Sequence, residues 1–170
     1  APAGTAAING TVSFEGTLPE RQPLEINREC MDLRDEPPLS ERVVVNENGT
    51  LKWVFVYVKE GLGDQTFPAP EEPVVMDQQG CMYTPHVFGV QTGQPIEIRN
   101  SDPFQHNIHA LPKKNRPFNF SQPVKGMSRE TTFKVEEVMV QIKCDVHGWM
   151  QAWVGVLPHP FYGVTQDDGA

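Results

Sequence analysis

The sequence predicts an all-β protein, a β-sandwich or barrel of about eight strands, and three observations support this. Sixteen prolines and fourteen glycines are spread along 170 residues. No long amphipathic helical stretch lies between them. Apolar and polar residues alternate in several segments with the period of two that is typical of half-buried strands. The length fits one domain with a real core and is too short for two large ones.

The predicted strands follow one another in chain order. A first, interrupted strand covers 6–16, and a hairpin over 41–61 turns at Asn48-Gly49, a pair that favours tight turns. Its returning arm, 51–58, is apolar on both faces and therefore predicts a central strand. A second hairpin is expected over 85–100 with its turn at Thr92-Gly93. Two strands within 130–144 and one from 151 complete the set, and loops are predicted over 63–73 and 113–128.

The charge and hydropathy of the chain exclude two classes of partner. Fourteen basic against twenty-two acidic residues leave a formal net charge of −8, which repels phosphate backbones and argues against nucleic-acid binding. No apolar run approaches the ~20 residues of a membrane span. The opening letters APAG resemble what remains after cleavage at a small-residue site, so we expect a removed signal peptide.

The chemistry lies in the stretch KCDVHGWM, which follows the last long apolar segment. Cys144, His147 and Met150 are spaced by three residues. Together with one histidine from another strand end they would form the two-histidine, one-cysteine set with a weak methionine ligand that binds copper. A thiolate and two imidazoles would also hold zinc, but methionine is a poor zinc ligand. Each of the three residues alone would fit ordinary core packing.

These residues resemble the cupredoxin family of blue copper proteins, most closely amicyanin and plastocyanin in the ligand motifs. The loop CDVHGWM matches the amicyanin pattern of cysteine, histidine and methionine, with Gly148 where those loops carry proline. The stretch HNIH from His106 matches the first-ligand motif. The resemblance covers roughly 82–156. It implies a Greek-key sandwich or barrel of the cupredoxin type, here with an N-terminal β extension, and the metal ligands His106, Cys144, His147 and Met150.

The same resemblance assigns roles to residues around the ligands. Asn107 is expected to hydrogen-bond to the ligand loop, and His109, three residues after the first ligand, is expected to lie outside the site. Pairing within the second hairpin places His86 opposite Asn100, near the metal and beside its ligands. His147, on an exposed loop, is expected to be the point where electrons enter and leave. We expect Phe104, Gly148 and Trp149 to form an apolar docking patch around it.

Domain boundaries and a disulfide complete the prediction. We expect a disordered N-terminus over 1–5 and a single domain over 6–160, divided into an extension, 6–81, and a copper-binding core, 82–157. Residues 161–170 would be a tail or the truncated start of a following domain. A copper thiolate site and a removed signal peptide indicate an oxidising compartment, where we expect a disulfide between Cys30 and Cys81.

The function predicted from the resemblance is single-electron transfer through one copper ion that alternates between Cu(I) and Cu(II). The partner would be a redox protein such as a c-type cytochrome or an oxidoreductase, in the periplasm or another extracytoplasmic space. We expect the chain not to be an enzyme. The alternatives are a copper carrier or resistance protein, a catalytic mononuclear copper site like that of nitrosocyanin, and an interaction module with a degenerate site.

Overall fold

The structure, a computed structural model, describes residues 7–170, and the segment 1–5 predicted to be disordered lies outside them. The described residues form one four-residue helix and thirteen strands. None of them forms a helix long and apolar enough to cross a membrane. The elements are α1 (Arg28–Met31), β1 (Val44–Val45), β2 (Leu51–Lys52), β3 (Phe55–Tyr57), β4 (Val74–Gln79), β5 (Met82–Thr84), β6 (Val87–Gln91), β7 (Pro95–Asn100), β8 (His106–Leu111), β9 (Phe118–Gln122), β10 (Ser128–Thr132), β11 (Glu137–Lys143), β12 (Gln151–Leu157) and β13 (Tyr162–Val164).

Two sheets make the sandwich. One has four strands in the order β10-β7-β4-β5, and the other has five in the order β6-β12-β11-β8-β9. The pairs β4–β7 and β6–β12 are parallel, and the remaining pairs in these two sheets are antiparallel. Because spatial neighbours are often distant in sequence, the connections cross between sheets as they do in Greek-key folds. The predicted fold class, an all-β sandwich, is confirmed.

The core lies between the two sheets and is built by the inward positions of alternating strands. β7 contributes Ile96 and Ile98, and β11 contributes Val140 and Ile142, all at most 1% exposed. Outward neighbours such as Arg99 are exposed. This alternation matches the apolar–polar pattern from which these strands were predicted.

The second predicted hairpin is wrong. β6 and β7 belong to different sheets, and the turn at Thr92-Gly93, with Gly93 at φ 87°, carries the chain across the core. All five residues of β6 are buried, because one face packs on the core and the other is covered by residues from both ends of the chain, including Tyr162 over Gly89. β6 therefore pairs in parallel with β12, and the pairing that placed His86 opposite Asn100 does not exist.

The central strand predicted over 51–58 is also wrong. Trp53 adopts a positive φ of 68°, which interrupts the segment between β2 and β3. β2 pairs with β1 around the predicted Asn48-Gly49 turn, whereas β3 pairs with β13. The 161–170 segment thus contributes β13 beside N-terminal residues. β4, within the predicted extension 6–81, pairs with β7 in the four-stranded sheet, and the domain boundaries themselves stay a prediction.

The two-stranded sheet β3–β13 lies on the outer face of the five-stranded sheet, over a pair of glycines. Gly89 of β6 and Gly155 of β12 are register partners. The ring of Tyr162 covers Gly89 and the ring of Phe55 covers Gly155, so closely that a Cβ at either glycine would overlap the ring. The absence of side chains at these two positions lets the aromatic rings lie flat on the sheet.

Cys30 and Cys81 form a disulfide with their Cα atoms 5.7 Å apart, as predicted. It joins α1 to the turn between β4 and β5, and both cysteines are fully buried. Asn27 caps α1 by accepting a hydrogen bond from the Cys30 N–H. The disulfide thereby attaches the N-terminal segment covalently to the four-stranded sheet.

Candidate metal centre

Four predicted ligands meet at one end of the sandwich because the ends of three strands and one loop meet there. His106 opens β8, Cys144 directly follows β11, and Met150 directly precedes β12. His147 lies in the loop between β11 and β12. His106 and Met150 are fully buried, and Cys144 and His147 are 1% exposed.

The donor atoms of three of these side chains converge. The Nδ1 atoms of His106 and His147 lie 3.0 Å apart, and the Sγ of Cys144 lies 3.9 Å from Nδ1 of His147. All three donors lie within 4.8 Å of one another. Two nitrogens and a sulfur in this arrangement could hold a metal ion that accepts both donor types, such as copper or zinc.

The loop from Cys144 to Met150 is closed by backbone hydrogen bonds. The Met150 N–H donates to the His147 carbonyl at 2.9 Å, and the Cys144 N–H donates to the Met150 carbonyl at 3.2 Å. The His147 N–H also donates to the Cys144 sulfur at 3.3 Å. The loop thus folds all three side chains, including the thioether of Met150, toward the interior.

The Cys144 thiol is predisposed to ionise. Burial opposes its ionisation, but hydrogen bonds from the His106 and His147 side chains outweigh burial. Backbone N–H groups of His147 and Asn107 add to this, and the pKa of Cys144 falls to about 5. The thiolate is the form of cysteine that binds metals.

Asp102 is a site residue that sequence reasoning missed. Its Oδ2 lies 2.8 Å from Nε2 of His106, and its side chain is 4% exposed. Burial works against the charge on both groups, yet their hydrogen bond raises the pKa of His106 and, with bonds from backbone N–H groups of Cys81 and Gly80, lowers that of Asp102. The available signal was an acidic residue four positions before the histidine, since metal-binding histidines commonly have a carboxylate partner.

Asn107 connects strand β8 to the ligand loop. Its Oδ1 accepts a hydrogen bond from the Asp145 N–H at 2.8 Å, and its Nδ2 donates to Oδ1 of Asn119 on β9. Its carbonyl accepts a hydrogen bond from the hydroxyl of Tyr83. The side chain therefore links β8, β9 and the loop that begins at Cys144.

Among the described residues, His86 and His109 belong to no group of converging donors. His109 lies on β8 with Nδ1 3.0 Å from a carboxylate oxygen of Asp145, at the surface. His86 donates from Nδ1 to the Gln151 carbonyl at 2.9 Å, with Oε2 of Glu41 3.6 Å away. His86 lines a cavity of about 1030 Å³ between N-terminal residues and the five-stranded sheet, together with Trp53, Trp149 and Trp153.

Two of the predicted docking residues pack against the ring of His147, which is 1% exposed although its loop lies at the surface. The rings of Phe104 and Trp149 lie 6.5 Å and 5.1 Å from it, centroid to centroid, and both are partly buried against the core. Gly148 is exposed, and so is Val146, an apolar residue that sequence reasoning did not include, at 51%. The loop reaches the surface while its histidine points inward.

The disulfide lies directly behind the site. Its two sulfurs and a ring nitrogen of His147 lie within 4.8 Å of one another, and the same limit holds for Cys81, Asp102 and His106. The Trp149 indole N–H donates to the Cys81 carbonyl at 3.0 Å. Both ligand-bearing segments, the start of β8 and the loop after β11, are therefore packed against the disulfide-linked turn.

Comparisons with known proteins give structural similarity only. No family model matches the chain, and no curated protein matches it. Among solved structures, the copper-containing nitrite reductase NirK of Thermus scotoductus SA-01 is 21% identical, with a TM-score of 0.44 over 60% of this chain and 25% of that one. This chain thus spans about a quarter of the reductase.

Two smaller proteins are also similar in structure. A mutant of amicyanin in its oxidised state is 21% identical, with a TM-score of 0.44 over 49% of this chain and 81% of that one. A purple cupredoxin from Nitrosopumilus maritimus is 21% identical, with a TM-score of 0.41 over 49% of this chain and 98% of that one. With scores this low, the fold assignment rests on the strand arrangement itself, and a shared fold does not establish a shared function.

One prediction is corrected by these comparisons. The expectation that the chain is not an enzyme is wrong, because the similar structures include a copper-containing nitrite reductase as well as amicyanin.

Proposed function

We propose that this chain binds one copper ion through His106, Cys144, His147 and Met150 and carries single electrons between redox partners. The observation that supports this most is the convergence of two imidazole nitrogens and a thiolate sulfur within 4.8 Å. The thioether of Met150, a buried side chain at the end of the same loop, would complete a donor set suited to copper in both oxidation states. When bound, copper supplies a one-electron couple.

The surroundings of these donors fit that role. All four side chains are at most 1% exposed, and the rings of Phe104 and Trp149 separate His147 from solvent. Asn107 ties β8 to the ligand loop, which limits how far the donors can move apart. A rigid, dry set of ligands changes little between oxidation states, and this is what fast electron exchange requires.

Electrons would reach the site through the edge of His147. The rings of Phe104 and Trp149 pack against this ring, and the exposed residues Val146 and Gly148 flank it in sequence. A small apolar patch of this kind suits brief encounters with a partner. A c-type cytochrome or an oxidoreductase with a basic rim would be favoured by the net charge of −8.

The compartment follows from the same chemistry. A buried disulfide is typical of proteins that fold in an oxidising environment. We therefore place the chain in the periplasm or another extracytoplasmic space.

The test is a Cu(II) titration followed by visible absorption. We expect one equivalent to bind and an intense thiolate-to-copper band to appear. Cys144→Ser should abolish the band, whereas the matched control His109→Ala, three residues from a ligand, should retain it. A weak spectrum with an exchangeable water ligand would replace electron transfer with a catalytic copper site, and failure to take up copper would overturn the proposal.

The role of Met150 is tested by the reduction potential. Met150→Leu should keep the copper and raise the potential, because a donor to Cu(II) is lost. Met139→Leu, on β11, is the control and should leave the potential unchanged. An unchanged potential in Met150→Leu would remove the thioether from the ligand set.

A further inference from the structure

A buried carboxylate holds the imidazole of His106 from the side opposite the converging donors. Oδ2 of Asp102 lies 2.8 Å from Nε2 of His106, and the two side chains are 4% and 0% exposed. The other ring nitrogen, Nδ1, faces Nδ1 of His147 at 3.0 Å. The two nitrogens of one ring thus have separate partners, one acidic and one within the proposed metal site.

This geometry selects a tautomer. A carboxylate accepts hydrogen bonds, so Nε2 must carry the proton that it donates to Asp102. In the neutral ring, Nδ1 is then left with a lone pair directed at the other donors. The nitrogen that can bind a metal is set by the hydrogen bond that the opposite nitrogen makes.

Asp102 is itself held in place. Its Oδ1 accepts the Gly80 N–H at 2.7 Å and its Oδ2 accepts the Cys81 N–H at 2.8 Å. Its own N–H donates to Oδ1 of Asn100 at 3.0 Å. Because Cys81 belongs to the disulfide, the Asp102 carboxylate connects the disulfide-linked turn between β4 and β5 to His106, the first residue of β8.

His147 offers a contrast within the same site. In the part of the chain that the structure describes, its ring has no carboxylate hydrogen-bond partner and is held by packing against Phe104 and Trp149. One histidine is therefore oriented by an ionic hydrogen bond and the other by aromatic contacts.

We propose that Asp102 is a positioning residue that fixes the tautomer and orientation of His106 and anchors this proposed ligand to the disulfide-linked turn. The inference rests on the proposed copper-binding function. Carboxylate–histidine–metal arrangements are a general device for orienting a ligand ring, and removing the outer partner typically lowers metal affinity by about 10- to 100-fold.

The test compares Asp102→Asn with Asp77→Asn. The asparagine keeps the size of the side chain but can direct an amide N–H at Nε2, which would then have to accept and would leave the proton on Nδ1. We expect the Cu(II) affinity of Asp102→Asn to fall by about 10- to 100-fold. Asp77, a carboxylate on the adjacent strand β4 that accepts a hydrogen bond from Ser101, should tolerate the change. An affinity of Asp102→Asn within about threefold of wild type, well below the loss expected for an outer partner, would overturn the proposal.

A second measurement does not depend on copper or on the variant's folding. Long-range proton–nitrogen NMR of copper-free wild-type protein, in mildly alkaline buffer, reports which ring nitrogen of His106 is protonated. We expect the Nε2–H form, and a predominant Nδ1–H form would contradict the role of Asp102. If wild type takes up no copper while His106 is in the Nε2–H form, the proposed function fails and the assignment of Asp102 stands as a structural one.

Discussion

The N-terminal segment, residues 7–73, and the two-sheet core that follows it are stabilised in different ways. The core, from β4 to β12, has strands of up to seven residues whose inward positions are almost all buried. Before β4, strands have two or three residues. That segment is fixed by a disulfide, by aromatic rings lying on glycines and by a few polar bonds. The core is stabilised by many buried side chains along its strands, whereas the segment 7–73 is stabilised by a few separate contacts. Single substitutions should therefore affect the two regions differently.

The largest effect should come from removing the disulfide. Cys30 and Cys81 are 51 residues apart in sequence, and opening a loop of this size costs about 4 kcal/mol in the chain-entropy model. The double variant Cys30→Ala, Cys81→Ala should lose about this much free energy of unfolding in urea. Hydrogen exchange should show faster opening in 7–73 than in β11 and β12.

The disulfide also predicts the thiol count of the wild type. Alkylation of non-reduced, copper-free protein followed by intact-mass analysis should label at most Cys144, the one free cysteine in the described residues. Three labelled thiols would show that the segment is held without a covalent link, and would remove the main difference between the two regions.

A smaller effect is expected where the segment touches the sheet. Gly155→Ala places a Cβ where the ring of Phe55 now lies, so the ring must move and the contact is overpacked. We expect a loss of about 2 kcal/mol. Gly163→Ala, on the neighbouring β13 with open space around its Cα, is the matched control. Equal unfolding free energies for the two variants would mean that the glycine pair does not attach the segment.

Within the core, the stabilisation that the Glu137 side chain provides should depend on pH. Burial opposes ionisation of Glu137, but hydrogen bonds from the backbone N–H groups of Lys113 and Lys114 and from Asn115 lower its pKa below the usual range. A carboxylate with a depressed pKa stabilises the folded state above its unfolded pKa, about 4.3, and that stabilisation is lost as pH falls through the folded value.

Glu137→Gln should therefore cost about 1.5 kcal/mol at neutral pH, and the difference from wild type should shrink in acid. Urea unfolding measured at neutral pH and again well below the usual glutamate pKa checks this. Glu136→Gln, at the exposed neighbouring position, provides the control. A difference that persists unchanged in acid would show that shape, and not charge, matters at Glu137.

The smallest effect should come from a surface ion pair between the segment and the chain end. Lys52 Nζ lies 2.6 Å from Oδ1 of Asp167, whose side chain is 83% exposed. Asp167→Asn should change the free energy of unfolding by less than about 0.5 kcal/mol, because exposed pairs are screened by water and salt. A loss as large as that of Gly155→Ala would mean that electrostatics, and not ring packing, attaches this region.

The same contrast explains what the sequence could predict. Core strands such as β7, β11 and β12 were predictable because alternation reports directly on burial between two sheets. The ligand loop was predictable because Cys144, His147 and Met150 are close in sequence. The sequence spacing of Asp102 and His106 does not reveal that the loop before β8 turns the carboxylate back onto the imidazole. The strand β9, with alternating Phe118 and Phe120, lies in a segment predicted as loop, because its pairing with β8 is a tertiary contact.

The segment before β4 was predicted poorly for a physical reason. Its apolar residues, such as Phe55, pack on the outer face of a sheet whose strands come from later parts of the sequence. The local apolar pattern therefore predicts a central strand where the structure has short strands on the outside of a sheet. Trp53 adopts a positive φ, which bulky residues such as tryptophan rarely do. Likewise, the short glycine turn between β6 and β7 predicts a hairpin. In the structure β6 pairs with β12, which places β6 and β7 in different sheets.

The pairing of β3 with β13 has a consequence for the order of folding. The Val54 N–H donates to the hydroxyl oxygen of Thr165, 111 residues further along, so the residues around Val54 complete their contacts only after β13 has been made. Contacts of such long sequence separation slow folding. Until β13 is synthesised, Phe55 has no Tyr162 to stack on, and β3 must stay unpaired while the strands between them form.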